Sequence, residues 1–461
     1  MHRILLLGAG RSTASLISFL LTNAAAQNWH LTIGDLSTHH LEGYQAQHPE
    51  HLALLPFDIN QPTNLAALVE AADVVISMLP AAFHLPVAQA CVRHRRPLVT
   101  ASYVSPEIAA LDAAARAAGV PLLMECGLDP GLDHLSAMQV IDRLRAAGAE
   151  ITSFKSYCGG LVAPESDTNP WHYKFTWNPR NVVVAGQATA KYLQDGAYRY
   201  VPYQQLFKRT ETIAVPGYGE FEGYPNRDSL SYRAPYGLDH IPTILRGTLR
   251  RPGYARAWDA LVQLGLTEDT YVVEDSERLT YRQWLESYLP VEWEGATAPA
   301  ARLARFLGLD DANHEVIEKI AWAGLLADDV IGLPNATPAQ ILEKRLTEKW
   351  SLAPGDRDMV VMQHLFTYRA AGEEQERHLT SSLVVIGDDP VNTAMAKTVG
   401  LPVGLVVRRL LGGLIGRTGG VIPTTPDLYE PLLAELAAEH GITFVEAEQT
   451  PSLRNVGEKS G

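Results

Sequence analysis

The chain has 461 residues, 46% of them hydrophobic and 20% charged, with a formal net charge of −14 at pH 7. That length exceeds one hydrophobic core and predicts two or three domains of ordinary globular composition. The acidic balance argues against nucleic acid or an anionic membrane surface as the main partner, although a local basic pocket for an acidic small molecule stays open.

No apolar run reaches the roughly 18 residues of a membrane span. No charged segment and cleavage site precede the first strand, so no signal peptide is expected. Cys91, Cys126 and Cys158 are odd in number and widely spaced, which implies neither a disulfide framework nor a zinc site and fits the cytoplasm. Cys158 has no neighbouring histidine and reads as a buried, inert thiol.

In chain order, residues 4–7 are a short apolar strand ending at Gly8-Ala9-Gly10-Arg11-Ser12-Thr13. A helix follows with Ala14, Ile17, Ser18 and Leu21 on one face. Residues 30–33 are the next strand, ending at Gly34-Asp35; 65–71 read as a helix. Residues 73–80 form a buried strand and its terminal loop, 87–92 a helix, and 97–100 a strand ending at Ala101-Ser102-Tyr103. A helix over 108–118 leads to a strand over 120–124. Gly127-Leu128-Asp129-Pro130-Gly131 then opens a helix with Ala137, Val140, Ile141 and Leu144 on one face. Asp129 suits its N-cap and Pro130 its first turn. Alternation of strand and helix makes residues 1–125 an α/β Rossmann domain, a doubly wound parallel sheet.

The pattern then changes. Residues 151–158 alternate like a strand with one wet face, and 159–180 read as an ordered loop rich in glycine, proline and aromatics. Residues 200–250 mix short strands with polar loops, and about 254–350 are mostly helical. Residues 359–368 and 379–386 read as a hairpin, and a helix of small residues follows near 392–411. A second, α+β domain with a mixed sheet and a helical insertion is therefore placed at 126–390. A segment at 391–446 is expected to pack back on the first domain, and the last 15 or so residues to fray.

The glycine loop stands where a dinucleotide fingerprint requires it, between the first strand and the first helix. Gly8 makes the tight turn, Gly10 lets backbone approach a pyrophosphate, and the helix N-terminus offers N–H groups. The third glycine is replaced by Thr13. Asp35 ends the second strand, where a carboxylate accepts from both ribose hydroxyls of NAD and repels a 2′-phosphate, so NAD is favoured over NADP. The loop from Leu79 to His84 is placed to wall the nicotinamide side; a structural histidine is the other reading. Ser102, Tyr103 and Asp129 stand past consecutive strand ends, on the rim where open α/β sheets bind ligands. Tyr103 is a proton donor or a carboxylate contact, and Asp129 a general base or only a cap. Arg227, Arg250 and their loops suit an anionic ligand, since guanidinium forks pair bidentately with carboxylates.

Several long motifs in order give the chain a resemblance to the saccharopine dehydrogenase family of the L-glutamate-forming type. They are VISMLPAAFH (75–84), TASYVSPEIAALD (100–112), ECGLDPGLDHL (125–135), SYCGGLVAPESDTNP (156–170), YKFTWNPRNVV (173–183), GYPNRDS (223–229), RGTLR (246–250) and TAMAKTVGLP (393–402). The resemblance implies a Rossmann domain, an α+β domain that binds substrate and dimerises, and a helical insertion. It implies nicotinamide-dependent interconversion of saccharopine with glutamate and 2-aminoadipate 6-semialdehyde, in lysine metabolism. It places Gly10, Arg11, Ser12, Thr13, Asp58 and Ile59 on the cofactor, together with Leu128, Asp129 and Pro130. It places Ser102, Tyr103, Arg227, Thr248, Leu249 and Arg250 on a substrate with several carboxylates. Tyr103 and Asp129 are the candidates for proton traffic.

Two departures bear on this. Fungal members carry Cys-Arg-Thr where this chain has Asp35-Leu36-Ser37, and a Tyr-Thr pair where it has Ala81-Ala82. Bifunctional relatives carry a ketoglutarate-reductase half upstream, which this chain is expected to lack. The competing readings are a related secondary-amine-forming reductase of carboxyspermidine type, and a silent nucleotide-binding member of the family. A polyamine pocket should present acids, whereas these positions present arginines.

Overall fold

The computed structural model describes residues 1–61, 64–185, 187–291, 298–310 and 314–449. Most of the tail expected to fray lies outside the described residues. The chain divides into two compact units. One comprises Met1–Glu150 and Leu383–Glu446; the other comprises Ile151–Ser382 and the segment from Ala447.

Six strands arise in the first pass through unit 1: β1 (His2–Leu7), β2 (Trp29–Asp35), β3 (Leu52–Pro56), β4 (Val74–Ser77), β5 (Leu98–Thr100) and β6 (Pro121–Leu123). The following strands are β7 (Glu150–Val162), β8 (Ala190–Gln194), β9 (Ala197–Val201), β10 (Glu211–Val215), β11 (Gly219–Pro225), β12 (Thr243–Arg250), β13 (Asp358–Arg369) and β14 (Glu376–Ile386). The chain then returns to unit 1 with β15 (Gly419–Val421) and ends its described part at β16 (Val445–Gln449).

The sheet of unit 1 runs β15-β6-β5-β4-β1-β2-β3. Every pairing in it is parallel. The order reverses at β1 and β4, so a topological switch point opens beyond their carboxyl ends, where such sheets bind ligands. Ile4, Leu5, Leu6 and Leu7 are all buried. A strand covered on both faces reads as a continuous apolar run, which explains why β1 does not alternate.

Helices complete the cover. Helix Ala14–Gln27 buries Leu16, Ile17, Leu20, Leu21 and Ala24, and stops where Asn28 turns left-handed at φ 55°. Helix Ala394–Leu411 lies against it. Its Gly400 is required there, because a Cβ would stand 2.8 Å from the Leu16 amide nitrogen. Thr393 caps that helix by accepting from Ala396 N at 2.9 Å. Helix Pro426–His440 packs on helix Leu132–Ala146, with the Tyr429 hydroxyl donating to Asp142 Oδ2 at 2.9 Å.

Unit 2 holds the mixed sheet, ordered β10-β11-β12-β7-β13-β14-β16, with β8 and β9 branching from β12. β12 runs parallel to β7 and antiparallel to β11. Between β12 and β13 stand helices Tyr254–Gln263, Tyr281–Glu286, Pro299–Phe306, Glu315–Trp322 and Pro338–Trp350. The aromatics of the glycine- and proline-rich stretch are core. Trp171, Tyr173 and Phe175 pack edge-on against Trp350 with ring centroids 5.1 to 5.3 Å apart. All three cysteines are buried and none is in a disulfide.

Among the described residues, no helix is long and apolar enough to cross a membrane, and no group of three or more His, Cys, Asp or Glu could hold a metal ion.

Candidate active site

The glycine loop is shaped by what surrounds it. Gly8 has φ 89°, and a Cβ there would meet the Met78 carbonyl oxygen at 2.8 Å. Only glycine takes that conformation without strain. Gly10 begins a tight turn over Arg11–Thr13 that no side chain caps. Thr13 closes it, donating from both its amide (3.0 Å) and its hydroxyl (2.6 Å) to the Gly10 carbonyl. The missing third glycine is thus a buried threonine that locks the turn. A Cβ at Gly10 would meet nothing within 4 Å, so the backbone is open for a pyrophosphate to approach. The residues present fit a dinucleotide.

Asp35 holds this loop. Its Oδ2 accepts from Ala9 N at 2.7 Å and its Oδ1 from Ser37 N at 3.1 Å. His40 Nε2 lies 2.9 Å from the Ala9 carbonyl oxygen. Asp58 and Ile59 follow β3, whose Pro56 pairs in register with Asp35. Asp58 Oδ1 accepts from Asn60 N at 2.9 Å, and Ile59 packs against the core. The ends of β1, β2 and β3 therefore place Gly8, Asp35 and Asp58 along one rim.

Beyond β4, Leu79 packs on the core. His84 is 1% exposed, and both its ring nitrogens face hydroxyls of the chain itself. Nδ1 lies 2.8 Å from Ser77 Oγ and Nε2 lies 2.6 Å from Ser102 Oγ. Burial pushes its pKa down to about 4, so the ring is neutral at pH 7.

The junction after β6 corrects the capping expectation. Helix Leu132–Ala146 starts at Leu132 with Gly131 as its N-cap, and the Asp129–Pro130 bond is cis. Asp129 is not the cap, and Pro130 is not in the first turn. The loop instead curls on itself. Gly127 N donates to the Pro130 carbonyl at 3.0 Å, and Leu132 N to the Gly127 carbonyl at 2.9 Å. Gly131 has φ 147°, and a Cβ there would stand 2.1 Å from the Gly127 carbonyl oxygen. Leu128 and Pro130 are buried, while half-buried Asp129 accepts from the Tyr103 hydroxyl at 3.1 Å.

Sequence reasoning missed the buried staple behind these residues. Glu125 is 4% exposed with φ 57°. Its amide donates to the Ser102 carbonyl at 3.1 Å, and its Oε1 accepts from Val104 N at 3.0 Å. Its Oε2 lies 2.7 Å from His134 Nε2. It thus ties the Ser102-Tyr103 loop to helix Leu132–Ala146. The available signal was an acid at the end of the apolar run 120–124 and a histidine nine positions further on.

In unit 2, Thr248, Leu249 and Arg250 end β12, with Tyr224 opposite Thr248. Arg250 is 5% exposed. Its guanidinium lies 4.9 Å from the Tyr173 ring centroid and 5.3 Å from that of Tyr254. Nη1 donates to the Leu249 carbonyl at 2.8 Å, and Nε has no partner. Burial pushes the phenols of Tyr173, Tyr224 and Tyr254 up, so all three are neutral. Among the described residues no carboxylate pairs with Arg250. Arg227 is exposed, with φ 49°, just past β11. β11 and β12 run antiparallel with Glu222 opposite Arg250 and Pro225 opposite Gly247. Arg250 thus stands at the Glu222 end of that ladder, and Arg227 lies beyond its Pro225 end.

Known proteins resemble this chain in sequence and fold. The description "Saccharopine dehydrogenase NADP binding domain" matches residues 4–123, and "Saccharopine dehydrogenase C-terminal domain" matches residues 127–442. The chain is 36% identical over 452 residues to the mitochondrial alpha-aminoadipic semialdehyde synthase of Mus musculus, covering 96% of this chain and 47% of that one. It therefore spans about half the length of that relative. It is 34% identical over 446 residues to the NADP(+), L-glutamate-forming saccharopine dehydrogenase of Saccharomyces cerevisiae, covering 96% and 98%. The solved apo structure of L-Glu-forming saccharopine dehydrogenase from Saccharomyces cerevisiae matches with a TM-score of 0.86 at 31% identity, covering 98% of this chain and all of that one. On these matches, the chain belongs to the saccharopine dehydrogenase family.

Proposed function

We propose that this chain is an L-glutamate-forming saccharopine dehydrogenase, interconverting saccharopine with glutamate and 2-aminoadipate 6-semialdehyde. The observation that carries this reading is Arg250: a buried cation with an unpartnered Nε and no carboxylate ion-paired to it among the described residues. A desolvated guanidinium left without an anion is costly, and a ligand carboxylate relieves it. Arg227, beyond the far end of the same ladder, suits a different carboxylate of the same multiply acidic substrate. An arginine of this kind repels a polyamine, which disfavours the carboxyspermidine-type alternative.

Gly8, Gly10, Arg11, Ser12 and Thr13 are assigned to the pyrophosphate, and Asp35, Asp58 and Ile59 to the adenosine half. Leu79, Leu128 and Pro130 are assigned to the cofactor's walls. A bound nicotinamide would supply hydride exchange at the carbon of the substrate's C–N bond. The chain supplies binding and proton handling. Arg227, Thr248, Leu249 and Arg250 are assigned to substrate binding, and so, separately, is Ser102. Oxidation requires a neutral secondary amine, and Asp129 is assigned to take its proton, with Tyr103 holding the carboxylate in place. Asp35 is assigned to favour NAD, since a carboxylate at the end of the second strand repels a 2′-phosphate. The relatives named above as NADP(+) enzymes make this the point to test. The active form is assigned as a homodimer.

The test mixes purified protein with glutamate, aminoadipate semialdehyde and either NADH or NADPH, following absorbance of the reduced cofactor. Consumption dependent on both substrates is expected, faster with NADH. No consumption with either cofactor refutes the reading, and a clear preference for NADPH refutes the role given to Asp35.

A further inference from the structure

Ser77, His84 and Ser102 form one buried line of hydroxyl, imidazole and hydroxyl. Ser77 ends β4 and is fully buried, and His84 opens helix His84–His94. Their contacts are 2.8 Å from Ser77 Oγ to Nδ1 and 2.6 Å from Nε2 to Ser102 Oγ. Ser102 itself is half-buried on the rim after β5.

Counting protons fixes the polarity of this line. A neutral imidazole carries one N–H and one lone pair. Among the described residues, the Ser77 hydroxyl has one partner, Nδ1. If Nδ1 carried the hydrogen, the Ser77 proton would be buried without an acceptor, which is the costly arrangement. So Ser77 donates to Nδ1, and the ring hydrogen sits on Nε2. Nε2 then donates to Ser102 Oγ, and the Ser102 proton is left to point elsewhere.

We propose that Ser77 and His84 are positioning residues that fix the Ser102 hydroxyl as a hydrogen-bond donor toward a substrate carboxylate. The inference rests on the reading of Ser102 as a substrate contact. It adds a determinant of specificity: a hydroxyl already accepting from His84 and offering its proton favours an anion and disfavours an ammonium group. His84 moves no proton in this scheme; its hydrogen stays on Nε2.

Two measurements test this. The first is ¹⁵N–¹H correlation of the histidine rings in the labelled full chain at pH 7, with His84→Gln identifying the His84 signals. The expected pattern is the neutral Nε2–H tautomer; a neutral Nδ1–H ring or a charged ring overturns the proposal. The second is steady-state kinetics. His84→Leu should raise KM for glutamate about tenfold, the loss of one hydrogen bond to a charged group, and leave KM for the cofactor unchanged. His84→Gln keeps an N–H toward Ser102 and should recover most of that loss. In a Ser102→Ala background, His84→Leu should add nothing. Additive effects, or an equal rise in cofactor KM, overturn the proposal. If the wild-type chain turns over no substrate, the dehydrogenase reading fails, and the tautomer measurement still decides the polarity of the line.

Discussion

The Tyr103 hydroxyl reaches the Asp129 carboxylate across 3.1 Å, joining the loop after β5 to the loop after β6. Neither residue is placed by a local capping motif. Their contact depends on the curl of Gly127 to Gly131 and on the hold of Glu125 over the Ser102 loop.

This pair carries the first prediction. If it handles the amine proton, Asp129→Asn should lower kcat about a hundredfold and Tyr103→Phe about tenfold, with cofactor KM unchanged. Stopped-flow and steady-state absorbance assays measure both. A change confined to substrate KM would make the pair a binding contact only.

Arg250 offers a split between stability and function. Arg250→Met removes a buried cation that lacks a counter-ion, so the unliganded variant should melt at or above the wild-type temperature. The same change should raise substrate KM by at least about a hundredfold. Arg250→Lys should not rescue it, because an ammonium has no planar fork. Calorimetry and kinetics on the same preparations give both readouts.

Gly131→Ala should be severe. The φ of 147° and a Cβ 2.1 Å from the Gly127 carbonyl oxygen leave no room for a methyl group. Destabilisation above about 4 kcal/mol is expected, measured by urea unfolding. The equivalent change at Gly10, where a Cβ meets nothing within 4 Å, should leave stability near wild type and weaken cofactor binding.

The His84 ring makes stability depend on pH. Its pKa falls from 6.5 to about 4 on folding, because burial disfavours the charged form. Between those values the unfolded chain binds more proton than the folded one, so stability rises with pH. The contribution is fully present above pH 6.5 and is lost as pH falls toward 4, about 3 kcal/mol in all. Urea midpoints from pH 7 to pH 4.5 should therefore fall less steeply in His84→Gln than in wild type.

Asp35→Asn separates charge from anchorage. An asparagine oxygen can still accept from Ala9 N, while the negative charge is gone. The NADH-to-NADPH ratio of kcat/KM should fall about tenfold or more, with little change in melting temperature. An unchanged ratio would leave Asp35 as a loop anchor alone.

Much of unit 1 was legible because β1, β4, β5 and β6 are buried on both faces and announce themselves as apolar runs. β3 was not. Leu52–Pro56 lies at the sheet edge, is only partly buried and ends in proline, so its pattern is weak. β15 contains two glycines in three residues and gains its identity only from β6. The capping signals of Asp129 and Pro130 misled because the helix start is set by Gly127 and Gly131, a contact that local preference does not encode. Glu125, Ser77 and His134 were overlooked for a related reason. A buried polar group in an apolar run looks incidental until its partner, distant in sequence, is known.

The place of β15 has a consequence for biosynthesis. The edge of β6 stays uncovered, and helix Ala14–Gln27 lacks its partner Ala394–Leu411, until more than four hundred residues have left the ribosome. The first unit therefore cannot finish folding before the second has been made. A nascent chain or an expressed fragment ending near residue 150 would present an open parallel edge and a bare apolar helix face, the features that recruit chaperones or drive aggregation.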